Sequence, residues 1–386
     1  FIRYRIDVQG TDIIADQRKD EAERVAIALA LMHVMVRDGL YDAAFVREFT
    51  VGFPALAERV SAFPPERAAG IADILVRQIE EFARLYAERP NSLIHVGPGC
   101  LRHSNAGMTM RAIACLPALS GAWSRPGCGL YYPTSTVFPF DWSAFDGDGL
   151  RPTPAAGYNM IHLGRLLLDA KPPVRSLYVF NGNPAAGLYD QTRLRRGLAR
   201  EDLFTVVHEL RMTDTARFAD IILPATTQFE HPDLLFTYYR PSLLLNRPAI
   251  APVGESRSNH DVFRSLAETL GFDDPCLRQT AWDTIEEILS HDDPVFTGIS
   301  RADLSREGWA SVPATPIHSR FRKDVPADKR ERIVLFSEPM LAEGLDPLPG
   351  YVPPRESLEA APALHARYPL SFLTPSAHST LNSNYG

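Results

Sequence analysis

Cysteine is scarce. Cys100, Cys115, Cys128 and Cys276 are the only four in 386 residues, and no two stand at the close spacing of an iron–sulfur or zinc site. So thiol-poor a chain argues against a disulfide scaffold, and all four read as small buried or half-buried thiols. Positive charge is also short: 40 Lys and Arg face 47 Asp and Glu, a net charge of −7. A nucleic-acid binder would show a basic stripe, and none is present. Long hydrophobic runs are missing too. The most apolar stretch, Val25 to Val36, is interrupted by His33 and is shorter than the ~20 residues a membrane-spanning helix needs. No glycine-rich GxGxxG turn with an acidic residue about 20 positions on is found, which counts against a nicotinamide dehydrogenase.

No signal peptide is visible. The sequence opens on Phe1 and stops at Gly386 just after a polar loop, so it reads as a fragment, and a missing leader then says little. The expected location is the cytoplasm, with the periplasm left open.

What is present is ordinary globular material, 45% hydrophobic and 23% charged, with enough length for two or more domains. The 32 prolines cluster in the second half and suggest long loops. Ile13-Ile14-Ala15 reads as a short strand. Asp20 to Asp38 reads as a helix stopped by Gly39, with His33 as a packing residue, and Asp42 reads as the N-cap of the next helix. Ile74, Leu75, Ile79, Phe82 and Leu85 give one buried helical stripe. Leu93 to Val96 is a strand, Gly97-Pro98-Gly99 a turn, and Asn105 to Leu119 a helix. Glycines let a backbone approach a ligand closely, and a helix N-terminus offers N–H groups to anions. Many strand-to-helix turns carry such glycines for local reasons alone.

The clearest pattern lies further on. Leu177 to Phe180 is a continuous apolar strand running into Asn181-Gly182-Asn183-Pro184. Asp190 can cap a helix through Arg200. Phe204 to Val207 is the next strand, followed by His208-Glu209; Thr213 to Ala216 opens a short helix; Ile221 to Leu223 is a third strand. Right-handed crossovers make this β-α-β-α-β run a parallel sheet. Ligands of such sheets sit beyond the carboxyl ends of the strands, where Asn181, Gly182, Asn183, His208, Glu209 and Thr213 all fall. Plainer roles are available for each: Asn181 and Asn183 as turn residues before Pro184, Thr213 as a helix N-cap, His208 and His378 as satisfied histidines, Arg102 as a rim charge, Asp220 as a local cap or partner. Residues 231–259 read as extended and proline-rich, Asp261 to Gly271 and Trp282 to Leu289 as amphipathic helices, 310–367 as loop-rich, and Tyr368 to Thr374 as a strand.

Several segments together resemble the molybdopterin oxidoreductase family, which includes dimethyl sulfoxide reductases and formate dehydrogenases. They are Ala28 to His33 with Asp38 to Asp42; Thr50 to Phe53; Arg111 to Leu119 with Gly121-Ala122-Trp123 and Pro126-Gly127; Asn181 to Pro184; Met212 to Ala216 with Ala219 to Thr227 and Glu230; and Pro375 to His378 with Leu381-Asn382-Ser383. The resemblance implies doubly wound, Rossmann-like α/β domains with parallel sheets, followed by the start of a C-terminal β-barrel domain. On it, residues 1–130 form a partial α/β domain and 131–230 a second one, each contacting one pterin guanine dinucleotide. Residues 231–260 return as an extended segment, 261–366 connect, and 367–386 begin the barrel.

The implied cofactor is molybdenum bis(molybdopterin guanine dinucleotide). The residues matching its contact regions are Gly97, Gly99 and Arg102 for one dinucleotide; Asn181, Gly182, Asn183, Pro184, Glu209, Thr213 and Asp214 for the other; and His378 and Asn382 in the barrel loop. The chemistry of these residue types suits the task. A carboxylate such as Glu209 accepts guanine N–H groups, and Arg102 can pair with phosphate.

The family's cluster cysteines and the metal-ligating segment are absent, so a [4Fe–4S] cluster is expected in the intact protein and not in this chain. No residue here is assigned as metal ligand or as acid or base. Tyr131 to Ser135 stand where formate dehydrogenases carry an Arg-Gly-Gln segment. The expected activity is two-electron redox of a small-molecule substrate, with an electron-transfer subunit or redox carrier as partner, no nucleic acid and no membrane segment. The alternatives are a scaffold subunit of the same fold and a doubly wound dehydrogenase using another nucleotide.

Overall fold

The first long helix forms where the sequence is least interrupted by polar residues. In the computed structural model, which describes residues 22–89, 91–101, 104–132, 140, 156–237, 241–313, 317–321 and 323–370, α1 runs Ala22–Arg37. It is apolar nearly all round, so it is buried nearly all round: Leu29, Met32 and Met35 are almost fully inaccessible. Gly39, at φ +67°, ends it, with Leu40 N–H donating to the Met35 carbonyl in the left-handed stop that glycine accommodates. His33 Nδ1 lies 2.9 Å from the Val60 carbonyl, a packing role as the sequence suggests.

Asp42 caps α2 (Ala43–Phe49), its carboxylate accepting from Phe45 N–H at 2.9 Å. Then come β1 (Thr50–Val51), α3 (Phe53–Ser61), α4 (Pro65–Ala72), α5 (Val76–Glu88), β2 (Leu93–His95), α6 (Ala106–Leu119) and β3 (Gly129–Tyr131). The helical stripe expected from Ile74 onward starts later than its spacing suggests. Leu75 is 61% exposed and Ile74 precedes the helix, because Asp73 takes a left-handed conformation that closes α4 and Leu75 is extended. The buried stripe of α5 is Ile79, Ala83 and Tyr86.

The second part of the chain carries α7 (Leu163–Asp169), β4 (Ser176–Phe180), α8 (Pro184–Gly187), α9 (Gln191–Leu198), β5 (Phe204–Glu209), β6 (Ile221–Pro224), β7 (Asp233–Phe236), β8 (Ser242–Asn246), α10 (Asn259–Leu270), α11 (Ala281–Ser290), α12 (Arg301–Glu307) and β9 (Trp309–Ser311). Strands β4, β5 and β6 pair in that order, all parallel, with Phe180 opposite His208 and His208 opposite Leu223. Asp190 caps α9 as expected. Beneath the sheet, α7 and α9 cross at two glycines: a Cβ on Gly197 would stand 2.7 Å from Leu167 Cβ, and one on Gly164 2.8 Å from the Leu194 backbone nitrogen. Strands β7, β8 and β9 form a separate antiparallel sheet.

The chain then supplies β10 (Ile333–Val334), α13 (Glu338–Ala342) and α14 (Pro362–Arg367). Two compact units result, one of residues 1–134 and 315–373, the other of 135–314 and 374–386. Residues 261–366, expected as a connector, are thus divided between them. In the first unit β10 pairs parallel with β1, and Leu335 and Leu348 join the core around α1. Arg111 donates to the carbonyls of Pro347 at 2.8 Å and Leu335 at 3.3 Å, and Arg59 holds Asp346 through two bonds of 2.7 and 2.9 Å. The strand expected at Ile13 to Ala15 and residues 371–386, which hold most of the Tyr368 to Thr374 strand and the start of the barrel, lie outside the described residues.

Beyond β6, buried Glu230 ties two loops together. Its carboxylate accepts from Thr227 N–H (2.6 Å), Thr227 Oγ1 (2.7 Å) and Val253 N–H (2.8 Å), which hold its pKa down at about 2 from 4.5. A depressed carboxyl pKa contributes stability above the unfolded value that disappears as pH falls from about 4.5 through about 2. Glu230→Gln is therefore expected to flatten the fall in urea midpoint over that window. A variant losing stability with the same slope as wild type would remove this role.

Candidate functional site

Three parallel strands end side by side, and each runs into polar residues. β4 leads to Asn181, at φ +52°, and Gly182, where an added Cβ would meet only the Phe180 carbonyl at 3.7 Å. The backbone at this tip is open to a large neighbour. Asn183 faces inward. Its Oδ1 accepts from Thr215 N–H at 3.1 Å and Thr215 Oγ1 at 2.7 Å, while Thr215 Oγ1 accepts from Ala185 N–H at 3.0 Å. Thr215 is fully buried, so this relay locks the loop after β4 to the loop after β5. Pro184 opens α8, where its missing N–H costs nothing.

Glu209 is the last residue of β5 and is half-buried. One carboxylate oxygen accepts from Leu210 N–H at 2.7 Å; the other receives no donor among the described residues. Thr213 Oγ1 accepts from Ala216 N–H at 3.2 Å, a turn bond just ahead of the short helix Ala216–Phe218, whose N-cap is Thr215 and not Thr213. Asp214 stands 3.8 Å from Arg195 Nη2, which also donates to the Ala185 carbonyl at 2.9 Å. Asn181, Gly182, Asn183, Pro184, Glu209, Thr213 and Asp214 therefore gather at one sheet edge.

His208 does not join them. It is 2% exposed, on the sheet face, with Nε2 donating to the Arg257 carbonyl at 3.1 Å and Nδ1 buried with no partner among the described residues. Asp220 accepts from Thr205 N–H at 2.7 Å, a local pairing.

One residue at the tips escaped the sequence. Asn259 donates through Nδ2 to Asn181 Oδ1 at 3.1 Å, because a bridge from Ala225 to Arg257 extends the sheet edge and Ser258 then caps α10. The signal was Ser258 followed three places on by Asp261, whose N–H donates to Ser258 Oγ at 3.1 Å; reading it as a cap would have started the helix at Asn259.

Gly97 and Gly99 belong to the other unit. Gly97 follows β2 with nothing within 4 Å of an added Cβ, and Gly99 lies exposed in the single turn Pro98–Leu101. Arg102, His378 and Asn382 lie outside the described residues. Cys100 and Cys115 are buried and Cys128 is half-buried, as expected, but Cys276 is exposed, on the single turn Pro275–Arg278; burial pushes Cys115 up to about 12. Among the described residues no group of His, Cys, Asp and Glu could hold a metal ion, and no helix is long and apolar enough to cross a membrane.

Parallel α/β units with polar, glycine-opened strand ends define a class of nucleotide- and cofactor-holding proteins. Within it, the model of the family described as molybdopterin oxidoreductase matches residues 14–269. A Bacillus subtilis (strain 168) protein named "Probable oxidoreductase YoaE" is 36% identical over 93% of this chain and 52% of its own length. A Rhodobacter capsulatus dimethyl sulfoxide/trimethylamine N-oxide reductase is 28% identical over 64% of this chain and 34% of its own length. The solved structure of acetylene hydratase from Pelobacter acetylenicus shares the fold, with a TM-score of 0.70 at 22% identity, over 90% of this chain and 52% of that one. The chain belongs to the molybdopterin oxidoreductase family. It spans about half the length, or less, of these relatives. Family membership implies a molybdenum or tungsten pterin cofactor.

Proposed function

We propose that this chain is the cofactor-holding core of a two-electron molybdenum oxidoreductase that binds bis(molybdopterin guanine dinucleotide). The observation that carries the reading is the gathering of Asn181, Gly182, Glu209 and Thr213 beyond neighbouring parallel strands. The donor set fits the group. The unspent oxygen of Glu209 is an acceptor for guanine N–H groups, Thr213 and the backbone at Gly182 suit ribose or phosphate oxygens, and Arg195 adds positive charge beside Asp214. Asn183 and Thr215 hold these loops in register, so their role is positioning. Gly97 and Gly99 give the other unit an open turn for the second dinucleotide, with Arg102, His378 and Asn382 as further contacts.

When bound, the metal supplies the redox chemistry; the residues of this chain bind and orient the arms that carry it. The substrate is a small molecule undergoing oxo transfer or dehydrogenation, in line with the reductase name of the Rhodobacter relative, and electrons pass to a partner subunit or redox carrier. A [4Fe–4S] cluster belongs to the proposal for the intact protein only, since the cysteines here lack cluster spacing.

The test is elemental and nucleotide analysis of the full-length protein. Molybdenum or tungsten is expected, with about two equivalents of guanosine monophosphate per metal released by acid hydrolysis. A cleanly folded protein without metal or guanine nucleotide would defeat the proposal and favour a scaffold subunit.

A further inference from the structure

The first unit carries a recess that shares no residue with the strand-tip set. About 230 Å3 in volume, it opens between Leu29 of α1, Arg59 of α3, Phe63 and Arg67 around the start of α4, Met108 of α6 and the Tyr351-Val352 stretch of the returning chain. Its walls are of two kinds. Leu29, Met108 and Val352 are apolar, and the Phe63 and Tyr351 rings stand 5.7 Å apart at 60°. A third ring could add an edge or a face to that pair.

The charges do not cancel. Arg59 is neutralised by its two bonds to Asp346. Arg67 lies over the Phe63 ring at 4.2 Å, donates only to the Ala62 carbonyl at 3.2 Å, and has no carboxylate partner among the described residues. Among the described residues that line the cleft, one cation is left over beside an apolar, aromatic wall.

We propose that this cleft binds a small organic monoanion, a carboxylate on an aromatic or compact apolar body, with the carboxylate on Arg67 and the body against Phe63, Tyr351 and Met108. Size agrees: the space equals roughly seven or eight water volumes at ~30 Å3 each, enough for one substituted ring. Charge agrees as well. A phosphate dianion would leave one charge uncompensated and press oxygens against Leu29 and Val352, which burial penalises. The occupant would bridge the helices to the returning chain, adding to the Arg59–Asp346 pair and to the 3.0 Å bond from Asn105 Nδ2 to the Gly350 carbonyl.

The experiment titrates the whole chain with benzoate, benzamide and inorganic phosphate, read by calorimetry and ligand-observed NMR. Benzoate should bind saturably with a Kd below about 5 mM. Benzamide, which keeps the ring and loses the charge, should bind about ten- to a hundredfold more weakly, and Arg67→Gln should weaken benzoate by a similar factor. Met108→Trp, filling the cleft, should abolish binding; should it fail to fold, Arg67→Gln on an exposed side chain still decides. The proposal is overturned by no saturable benzoate binding below about 5 mM, by benzamide or phosphate binding as tightly as benzoate, or by an unaffected Arg67→Gln protein.

Discussion

Gly52→Ala is expected to destabilise the first unit severely, although it adds a single methyl group. Two effects coincide at this residue. Its φ of +89° lies where L side chains are strained, and an added Cβ would stand 2.5 Å from Phe336 Cβ and 2.7 Å from the Phe336 backbone nitrogen. The obstructing atoms belong to the backbone and to Cβ, so no side-chain rotation relieves them. Left-handed strain of about 1–2 kcal/mol and overpacking of about 1–3 kcal/mol sum to roughly 2–5 kcal/mol. The melting temperature should fall by roughly 5–15 °C for a unit of this size. Because the clash sits where β1 is paired with β10, protection of the Leu335 amide, which donates to the Val51 carbonyl at 2.9 Å, should be lost first in hydrogen exchange. A melt within about 2 °C of wild type would show that Phe336 can retreat, and would end the claim.

Asn183→Ala should have the largest effect on cofactor retention. It removes one oxygen that serves two donors of a fully buried Thr215. A buried donor left without a partner costs about 1–3 kcal/mol, so for the two the local penalty is roughly 2–6 kcal/mol. Only the two loops depend on that oxygen, so the remainder of the sheet should persist. The expected phenotype is faster hydrogen exchange over residues 181–184 and 213–216 and a guanine nucleotide content well below that of wild type. Asn183→Asp keeps an acceptor at the same place and should restore both readings. If Asn183→Asp behaves like the alanine variant, the amide nitrogen matters and the positioning role is wrong. If neither variant changes exchange over the two loops, the relay does not hold them.

Local chemistry was legible in the sequence, and distant pairing was not. The apolar run Leu177 to Phe180, the caps Asp42 and Asp190 and the stop at Gly39 act through neighbours only, and the structure reproduces them. The start of α5 was misplaced because Ile74 and Leu75 fit a helical stripe, and nothing in the spacing reveals that Asp73 turns left-handed. Asn183 looked like a turn residue because its partner is Thr215, on the next strand's loop, and only the parallel sheet brings them together. The pairing of β8 with β9 was equally hidden, since Leu243 finds Ala310 only after three helices have intervened. The return of Leu335 and Leu348 to the α1 core gave no signal either; two apolar residues in a proline-rich stretch have no period to read.

That return has a temporal side. Thr50 finds its strand partner at Ile333, so most of the chain must leave the ribosome before the first unit can close. Until then the α1 core is missing Leu335 and Leu348, and Arg111 is without the two carbonyls it will hold. Residues 135–314, the larger piece of the second unit, lie between those partners and can mature during this wait. The nascent α1 bundle therefore stays open longer than residues 135–314, although it is translated before them.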